Sequence, residues 1–279
     1  MLIDTHVHFA PGMSPEAMTS LVERAQAAGV GRMVAVGCEP DTTESALAAA
    51  RRFPGQVAAA VGYDRSLAGS DARPEDIARL LDAALDVRIV AIGEIGLDFY
   101  YTPETAVPQA ELMAGQLALA RERKLPVIVH SRDADTVTLE LLGAHAAAWK
   151  GAVDRIGVLH CFTGTEGFAR RLLDLGFMIS FSGIVTFRNA DSLRAVARLI
   201  PEDRLLIETD TPYLTPVPHR GVPNEPCYLP AVAAVLARVR GVPVERIAEI
   251  TSRNTVGLFG GWSAAGSAGL PGPVNTRPV

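Results

Sequence analysis

Apolar and β-branched residues recur along the chain in short runs that glycine, proline or charged residues interrupt. Runs of this kind are typical of strands buried in a parallel sheet. We interpret eight of them as strands, at residues 1–7, 32–37, 56–62, 87–96, 126–132, 155–162, 177–183 and 204–210.

Longer segments with helical periodicity separate these strands, for example at residues 14–29 and 103–124. Ser14 followed by Pro15 predicts the N-cap and first residue of a helix, and Gly29 predicts its end. A strand followed by a helix, repeated eight times in a chain of 279 residues, favours a (β/α)8 TIM barrel. An open doubly wound sheet is the alternative.

The composition changes once, near the end of the chain. Residues 1–260 have the hydrophobic and charged content of a globular protein, and we expect them to form a single catalytic barrel domain. Residues 261–279 are rich in Gly, Pro, Ser and Ala, which predicts a flexible tail.

The charge and the cysteines restrict the class of protein. With a net charge of −5, the chain does not attract nucleic acid over long range, so any such contact must be local. Three widely spaced cysteines without a Cys-x-x-Cys pair argue against a disulfide framework and a cysteine zinc site. There is no signal-like leader, and no apolar run approaches the roughly 20 residues of a membrane helix. We therefore predict a cytoplasmic protein without membrane association or an obligatory protein partner.

Polar residues gather at the carboxyl ends of the predicted strands, where barrel enzymes place their active sites. His6 and His8 lie two apart on one strand and so point to the same face, with Asp4 behind them. Other strands contribute Glu94, His130, His160 and Asp210. A single histidine at such a position is more often a packed core residue than a ligand. Four histidines and two carboxylates from five strands predict instead a metal site, because metal binding satisfies buried imidazoles.

The number and type of these side chains restrict the metal. Six ligands exceed the three that one catalytic zinc ion typically takes, and they suit two ions about 3.5–4 Å apart with a bridging carboxylate. Nitrogen and oxygen ligands are compatible with zinc, magnesium, manganese or iron. The sequence thus predicts two divalent metal ions of undetermined identity.

The motifs that carry these residues have a recognisable order. LIDTHVHF at 2–9, GEIGLDFY at 93–100 and PVIVHSRDA at 126–134 are followed by HCFTG, LIPEDRLLIETDTPYL and RGVPNEPCYL. This series resembles the motifs of the TatD family of metal-dependent deoxyribonucleases, which are amidohydrolase-like barrel enzymes. The similarity extends from Leu2 to about Phe259.

The resemblance implies a role for each candidate ligand. His6, His8 and Asp210 would hold one metal ion, His130 and His160 the other, and Glu94 would bridge them. A metal-activated water is then the expected nucleophile, with Asp210 as its general base. The chain departs from the family at two positions that are not proposed ligands. Ala10 stands where Asp or Asn is common, and Thr136 where an acidic residue is common.

Several neighbours of the ligands are candidates for supporting roles. Asp4 and Glu208 each lie two residues before a ligand, which predicts either hydrogen-bonding support for the ligands or a polar layer inside the barrel. Arg132, His219 and Arg220 follow ligand-bearing strands and are predicted to bind a phosphate of the substrate.

Three further aromatic or histidine residues receive weaker interpretations. Tyr100 and Tyr101 either stack on a base or sugar or form part of the pocket wall. His145 lies in an Ala-rich helical stretch and is predicted to be a surface or helix-end residue outside the site.

Three functions are compatible with this sequence. The first is a TatD-type deoxyribonuclease that removes nucleotides from single-stranded DNA ends in the 3'-5' direction. The second is hydrolysis of a cyclic amide, ester or phosphotriester, since fold and metals alone do not fix the substrate. The third, a metal-binding scaffold without turnover, is disfavoured because Asp210 supplies an acid–base carboxylate. The first function accounts best for the motifs.

Overall fold

The computed structural model describes residues 1–260, and its centre is one sheet of eight parallel strands in sequence order. The strands are Leu2–Val7 (β1), Val30–Gly37 (β2), Val57–Val61 (β3), Ile89–Asp98 (β4), Val127–Arg132 (β5), Gly157–Leu159 (β6), Met178–Phe181 (β7) and Leu205–Ile207 (β8). The predicted (β/α)8 barrel is confirmed.

The sheet closes between the residues that follow β8 and the end of β1. Val7 and Thr211 form a parallel bridge, and the His8 amide donates to the Thr211 carbonyl at 2.9 Å. The Asp210 amide donates to the carbonyl of His6 at 3.0 Å. Closure therefore brings the first and last candidate ligands together, although they lie at opposite ends of the sequence.

Helices separate the strands as the periodicity predicted. They are Pro15–Ala27 (α1), Pro40–Arg52 (α2), Pro74–Ala83 (α3), Ala106–Arg123 (α4), Asp135–Ala148 (α5), Glu166–Asp174 (α6), Asp191–Leu199 (α7), Leu229–Arg240 (α8) and Val244–Phe259 (α9). Ser14 caps α1 by accepting a hydrogen bond from the Ala17 amide. Gly29, just beyond that helix, has a φ of +85°, which glycine adopts without strain.

Apolar side chains fill the amino-terminal end of the barrel. Alternate strand residues such as Val34 and Ala58 form one buried cluster, which Leu258 and Phe259 at the end of α9 complete. The Arg155 guanidinium donates to the Leu258 carbonyl at 3.1 Å and fixes this helix end beside the start of β6. The candidate ligands lie at the opposite, carboxyl-terminal mouth.

The prediction of a surface position for His145 is wrong, although the residue does lie in the last turn of its helix. This residue of α5 is fully buried, with its ring near those of Trp149 and Phe177. Its Nδ1 accepts a hydrogen bond from Arg121 at 3.2 Å. Burial, together with the Arg121 charge, lowers the pKa of His145 to about 4. Alanine-rich helices give a weak hydrophobic contrast, so the buried face of α5 was not evident.

The predicted tail at 261–279 lies outside the described residues. Between residues 1 and 260, no single helix has the length and hydropathy needed to cross a membrane. One pair, Pro226–Arg240 with Val244–Phe259, meets these criteria only when both helices are counted across a 110° bend.

Candidate metal centre

The six predicted ligands meet at the carboxyl-terminal mouth of the barrel. His6 is in β1 and His130 in β5, whereas His8, His160 and Asp210 lie just beyond the ends of their strands. Glu94 was predicted to lie at the end of its strand. It lies inside β4 instead, because this strand is long and continues to Asp98. A register irregularity between Ile92 and Ile95 accompanies this position of Glu94 inside the strand.

Glu94 lies between the two halves of the cluster and directs one carboxylate oxygen to each. Its Oε1 is 3.2 Å from His160 Nε2 and 3.6 Å from His130 Nδ1. Its Oε2 is 3.3 Å from His6 Nε2 and 3.8 Å from His8 Nε2. A carboxylate in this position can bind one ion through each oxygen.

His6, His8 and Asp210 form the first half. The Nε2 atoms of the two histidines are 3.0 Å apart, and Asp210 Oδ1 lies 3.9 Å from His6 Nε2 and 3.5 Å from His8 Nε2. His8 Nδ1 is 3.1 Å from the Val36 carbonyl. Since a carbonyl only accepts, Nδ1 carries the proton and the Nε2 lone pair of His8 faces the cluster.

Glu94, His130 and His160 form the second half, and carboxylates behind them orient the two rings. Glu208 Oε1 is 3.3 Å from His160 Nδ1, so this nitrogen donates to Glu208 and Nε2 of the ring faces Glu94. Asp98 Oδ2 is 3.4 Å from His130 Nε2, which leaves Nδ1 of that ring for the cluster. Partners of this kind fix the tautomer and orientation of metal-binding imidazoles.

Asp4 supports the backbone rather than an imidazole. Its Oδ1 accepts hydrogen bonds from the amides of His6 and Thr209, and its Oδ2 accepts one from the Thr209 hydroxyl at 2.6 Å. Burial raises the pKa of Asp4 to about 8. This network joins β1 to the segment after β8 directly beneath His6 and Asp210.

Strong electrostatic coupling holds the cluster together. Burial alone would raise the pKa of Glu94, but the facing His160 and His6 rings hold it well below its usual range. Burial lowers the pKa of His160, and Glu94 with Glu208 reverses this and leaves that pKa well above its usual value. Burial also raises the pKa of Asp210, yet its bond to His8 leaves it lowered. Glu94 and Asp210 therefore stay ionised at neutral pH.

The donor set fits divalent metal ions. Four subsets of the mouth residues place their ligand atoms within 4.8 Å of one another, and two of these are the predicted sets His6, His8, Asp210 and Glu94, His130, His160. Among residues 1–260, the buried His160 Nε2 atom has no hydrogen bond of good geometry, and its near neighbour is Glu94 Oε1 at 3.2 Å. The Nε2 atoms of His6 and His8, which are 3.0 Å apart, could both turn toward a cation held with Asp210.

Cys38 and Asp98 are mouth residues that the sequence analysis did not single out. Cys38 directly follows β2, and its thiol donates to Glu94 Oε2 at 3.5 Å. Burial and the Glu94 charge raise the pKa of Cys38 well above its usual value, so it remains a thiol. The sequence contained an indication for each of these two residues. Cys38 follows a predicted strand, and Asp98 is the last residue of the GEIGLD motif.

The three predicted phosphate-binding residues have different surroundings. Arg132 ends β5, two residues after His130, and its guanidinium lies over the rings of Tyr100 and Tyr101. His219 stacks on Tyr228 with ring centroids 4.1 Å apart. Arg220 donates to the carbonyl of Thr215 and lies over the Phe187 ring. Of the three, Arg132 is the one whose guanidinium lies against two exposed tyrosines.

Comparison with known proteins gives consistent matches. A model of the family described as TatD related DNase matches residues 3–260. An Escherichia coli (strain K12) protein named uncharacterized metal-dependent hydrolase YcfH is 51% identical over 186 residues, 67% of this chain and 68% of that protein. The 3'-5' ssDNA/RNA exonuclease TatD of Cronobacter sakazakii is 38% identical over 244 residues, 86% of this chain and 90% of that protein. The crystal structure of YJJV, a TatD homologue from E. coli K12, has a TM-score of 0.82 at 33% identity and covers 92% of this chain and 97% of that one. The family match includes all six clustered side chains.

Proposed function

The chain belongs to the TatD related DNase family of metal-dependent hydrolases, and on that premise we propose that it is a 3'-5' exonuclease that hydrolyses phosphodiester bonds at single-stranded DNA ends. The observation that carries the proposal is the position of Glu94, whose two oxygens face separate histidine pairs. The printed name of the C. sakazakii relative supports the choice of substrate.

We propose that His6, His8 and Asp210 hold one divalent ion, that His130 and His160 hold a second, and that Glu94 bridges them. When bound, such ions neutralise a phosphate and lower the pKa of a water molecule. Zinc, magnesium and manganese all suit these donors.

The protein's own groups then have distinct tasks. Asp210 is ionised and nearly buried beside His8, so its carboxylate can accept a proton from the attacking water. Glu94 fixes the two histidine pairs at a constant separation. Glu208 and Asp98 keep the lone pairs of His160 and His130 directed into the mouth. Arg132, His219 and Arg220 are proposed to contact substrate phosphates.

We also propose a cellular compartment for the protein and the bounds of its catalytic domain. The three cysteines are free thiols, which suits the reducing cytoplasm that we propose as the site of action. We propose that residues 1–260 act as one catalytic domain.

The decisive experiment combines metal analysis with a panel of substrates. Purified protein is analysed for bound metal and then supplied with Mg²⁺, Mn²⁺ or Zn²⁺ and with single-stranded DNA, duplex DNA, RNA, a lactone and a phosphotriester. The proposal predicts metal in the protein and release of mononucleotides from the 3' end of single-stranded DNA. Blocking the 3' end should slow release, whereas blocking the 5' end should not.

Two controls make this result interpretable. Asp210→Asn should slow nucleotide release by about 10²- to 10⁴-fold, whereas Arg51→Gln, which removes a surface ion pair with Asp86, should leave it unchanged. Metal-loaded protein that releases no nucleotides from DNA would refute the proposal. Faster turnover of the lactone or phosphotriester would favour the second function considered for this sequence.

A further inference from the structure

Two adjacent aromatic side chains lie exposed beside the metal centre. Tyr100 and Tyr101 lie two and three residues after the end of β4, with exposed fractions of 57% and 63%. Their rings are 4.9 Å apart at an interplanar angle of 87°. Neighbouring exposed aromatic rings leave apolar surface in water, which is typical of a binding site.

A cation lies against both rings. The Arg132 guanidinium carbon is 4.0 Å from the centroid of Tyr100 and 4.6 Å from that of Tyr101. Within residues 1–260 the Arg132 side chain has no hydrogen-bond or ion-pair partner that would neutralise it. A planar guanidinium over aromatic rings adds a further stacking surface and a positive charge.

Asp98 fixes this aromatic pair to the metal centre. Its Oδ1 accepts hydrogen bonds from the amides of Tyr100 and Tyr101 at 3.0 and 2.9 Å. Its Oδ2 lies 3.4 Å from His130 Nε2. Gln109 holds the same turn. Its side-chain amide accepts a hydrogen bond from the Asp98 N–H and donates one to the Asp98 carbonyl. The turn is therefore ordered before any ligand arrives, which lowers the entropic cost of binding.

We propose that Tyr100, Tyr101 and Arg132 form a stacking platform for an unpaired nucleobase next to the phosphodiester that is cleaved. This inference rests on the proposed function and adds a determinant of substrate choice. Every nucleobase has a π face, so the platform accepts any base and both DNA and RNA. A base within a duplex is already stacked on both faces, so the platform selects single-stranded ends.

The test measures whether the effect of the tyrosine rings on kcat/KM requires a base in the substrate. Cleavage of a single-stranded oligonucleotide is compared with that of the same strand carrying an abasic residue near the 3' end. Removing one stacked base contact typically costs about 10- to 100-fold, so Tyr100→Ala with Tyr101→Ala should lower kcat/KM on the normal strand by about that factor. The corresponding Phe substitutions keep the rings and should restore kcat/KM.

The abasic strand separates stacking from phosphate binding. The loss caused by the Ala substitutions should shrink to less than about threefold on this strand, because there is no base to stack. An equal loss on both strands would overturn the proposal and assign the tyrosines to phosphate binding or to support of the turn. Leu85→Ala, at a residue 83% exposed, serves as the surface control.

A binding experiment keeps the proposal testable if no cleavage occurs. An oligonucleotide with 2-aminopurine near its 3' end is titrated into the Asp210→Asn protein, since stacking quenches the fluorescence of this base. Quenching that the Ala substitutions abolish and the Phe substitutions retain would support the platform, even if the nuclease activity failed. Absence of quenching, or quenching that the Ala substitutions leave intact, would refute it.

Discussion

Replacement of Glu208 by Gln tests how far the residues behind the ligands determine metal affinity. Glu208 is fully buried, and its Oε1 both faces His160 Nδ1 and accepts the Cys161 amide at 2.6 Å. Gln preserves the shape and an oxygen for the Cys161 amide, but it removes the negative charge beside His160. His160 then becomes a poorer and less firmly oriented ligand.

The expected loss of metal affinity is estimated from residues that support the ligands of other metal sites in the same way. Their loss usually weakens metal binding by 10- to 100-fold, which is about 1.4–2.7 kcal/mol for one ion. The assay is calorimetric titration of metal-free protein with Mn²⁺ and Zn²⁺. Only the half of the site that contains His160 is perturbed. The affinity for one ion should therefore fall, and the affinity for the other should stay nearly unchanged.

A matched control separates this effect from a general loss of charge. Glu225→Gln removes a carboxylate that pairs with Arg24 and should leave metal affinity unchanged. Thermal unfolding of the metal-free proteins shows whether Glu208→Gln still folds. A folded Glu208→Gln protein that binds both ions with the affinity of the wild type would refute the assigned role of Glu208.

Three further predictions address catalysis, pH and stability. Asp210→Asn should lower kcat by about 10²- to 10⁴-fold, and retention of wild-type kcat in steady-state assays would exclude Asp210 as the base. Metal affinity should fall as the pH is lowered, because the pKa of His160 is raised in the metal-free protein and its proton must leave before an ion binds; pH-independent titrations would contradict this. For His145 the pKa falls from 6.5 to about 4 on folding, so the unfolded state takes up the proton first and stability is lost as pH falls from about 6.5 to 4. The loss is about 3 kcal/mol, and His145→Gln should flatten the profile of unfolding free energy in this window; an unchanged profile would show that other groups cause it.

The sequence predicted the strands and the convergence of the six candidate side chains because each of these depends on local patterns. A spacing of two on one strand brought His6 and His8 together, and the observed 3.0 Å between their Nε2 atoms agrees with it. The barrel then determines that strand ends far apart in sequence converge, which placed His130, His160 and Asp210.

Other features depended on information that local patterns lack. The position of Glu94 inside β4 follows from an irregular register with β5, which depends on pairing between strands. Cys38 follows a predicted strand, but only the curvature of the barrel, in which β3 alone separates β2 from β4, brings its thiol to Glu94. His145 was misjudged because alanine neighbours do not reveal which face of a helix is buried.

Anomalous diffraction from crystals of the protein loaded with Mn²⁺ tests the central claim most directly. The account predicts two manganese peaks about 3.5–4 Å apart, one beside His6 and His8 and the other beside His130 and His160, with Glu94 between them. A single peak, or peaks that do not contact Glu94, would contradict the paired metal centre.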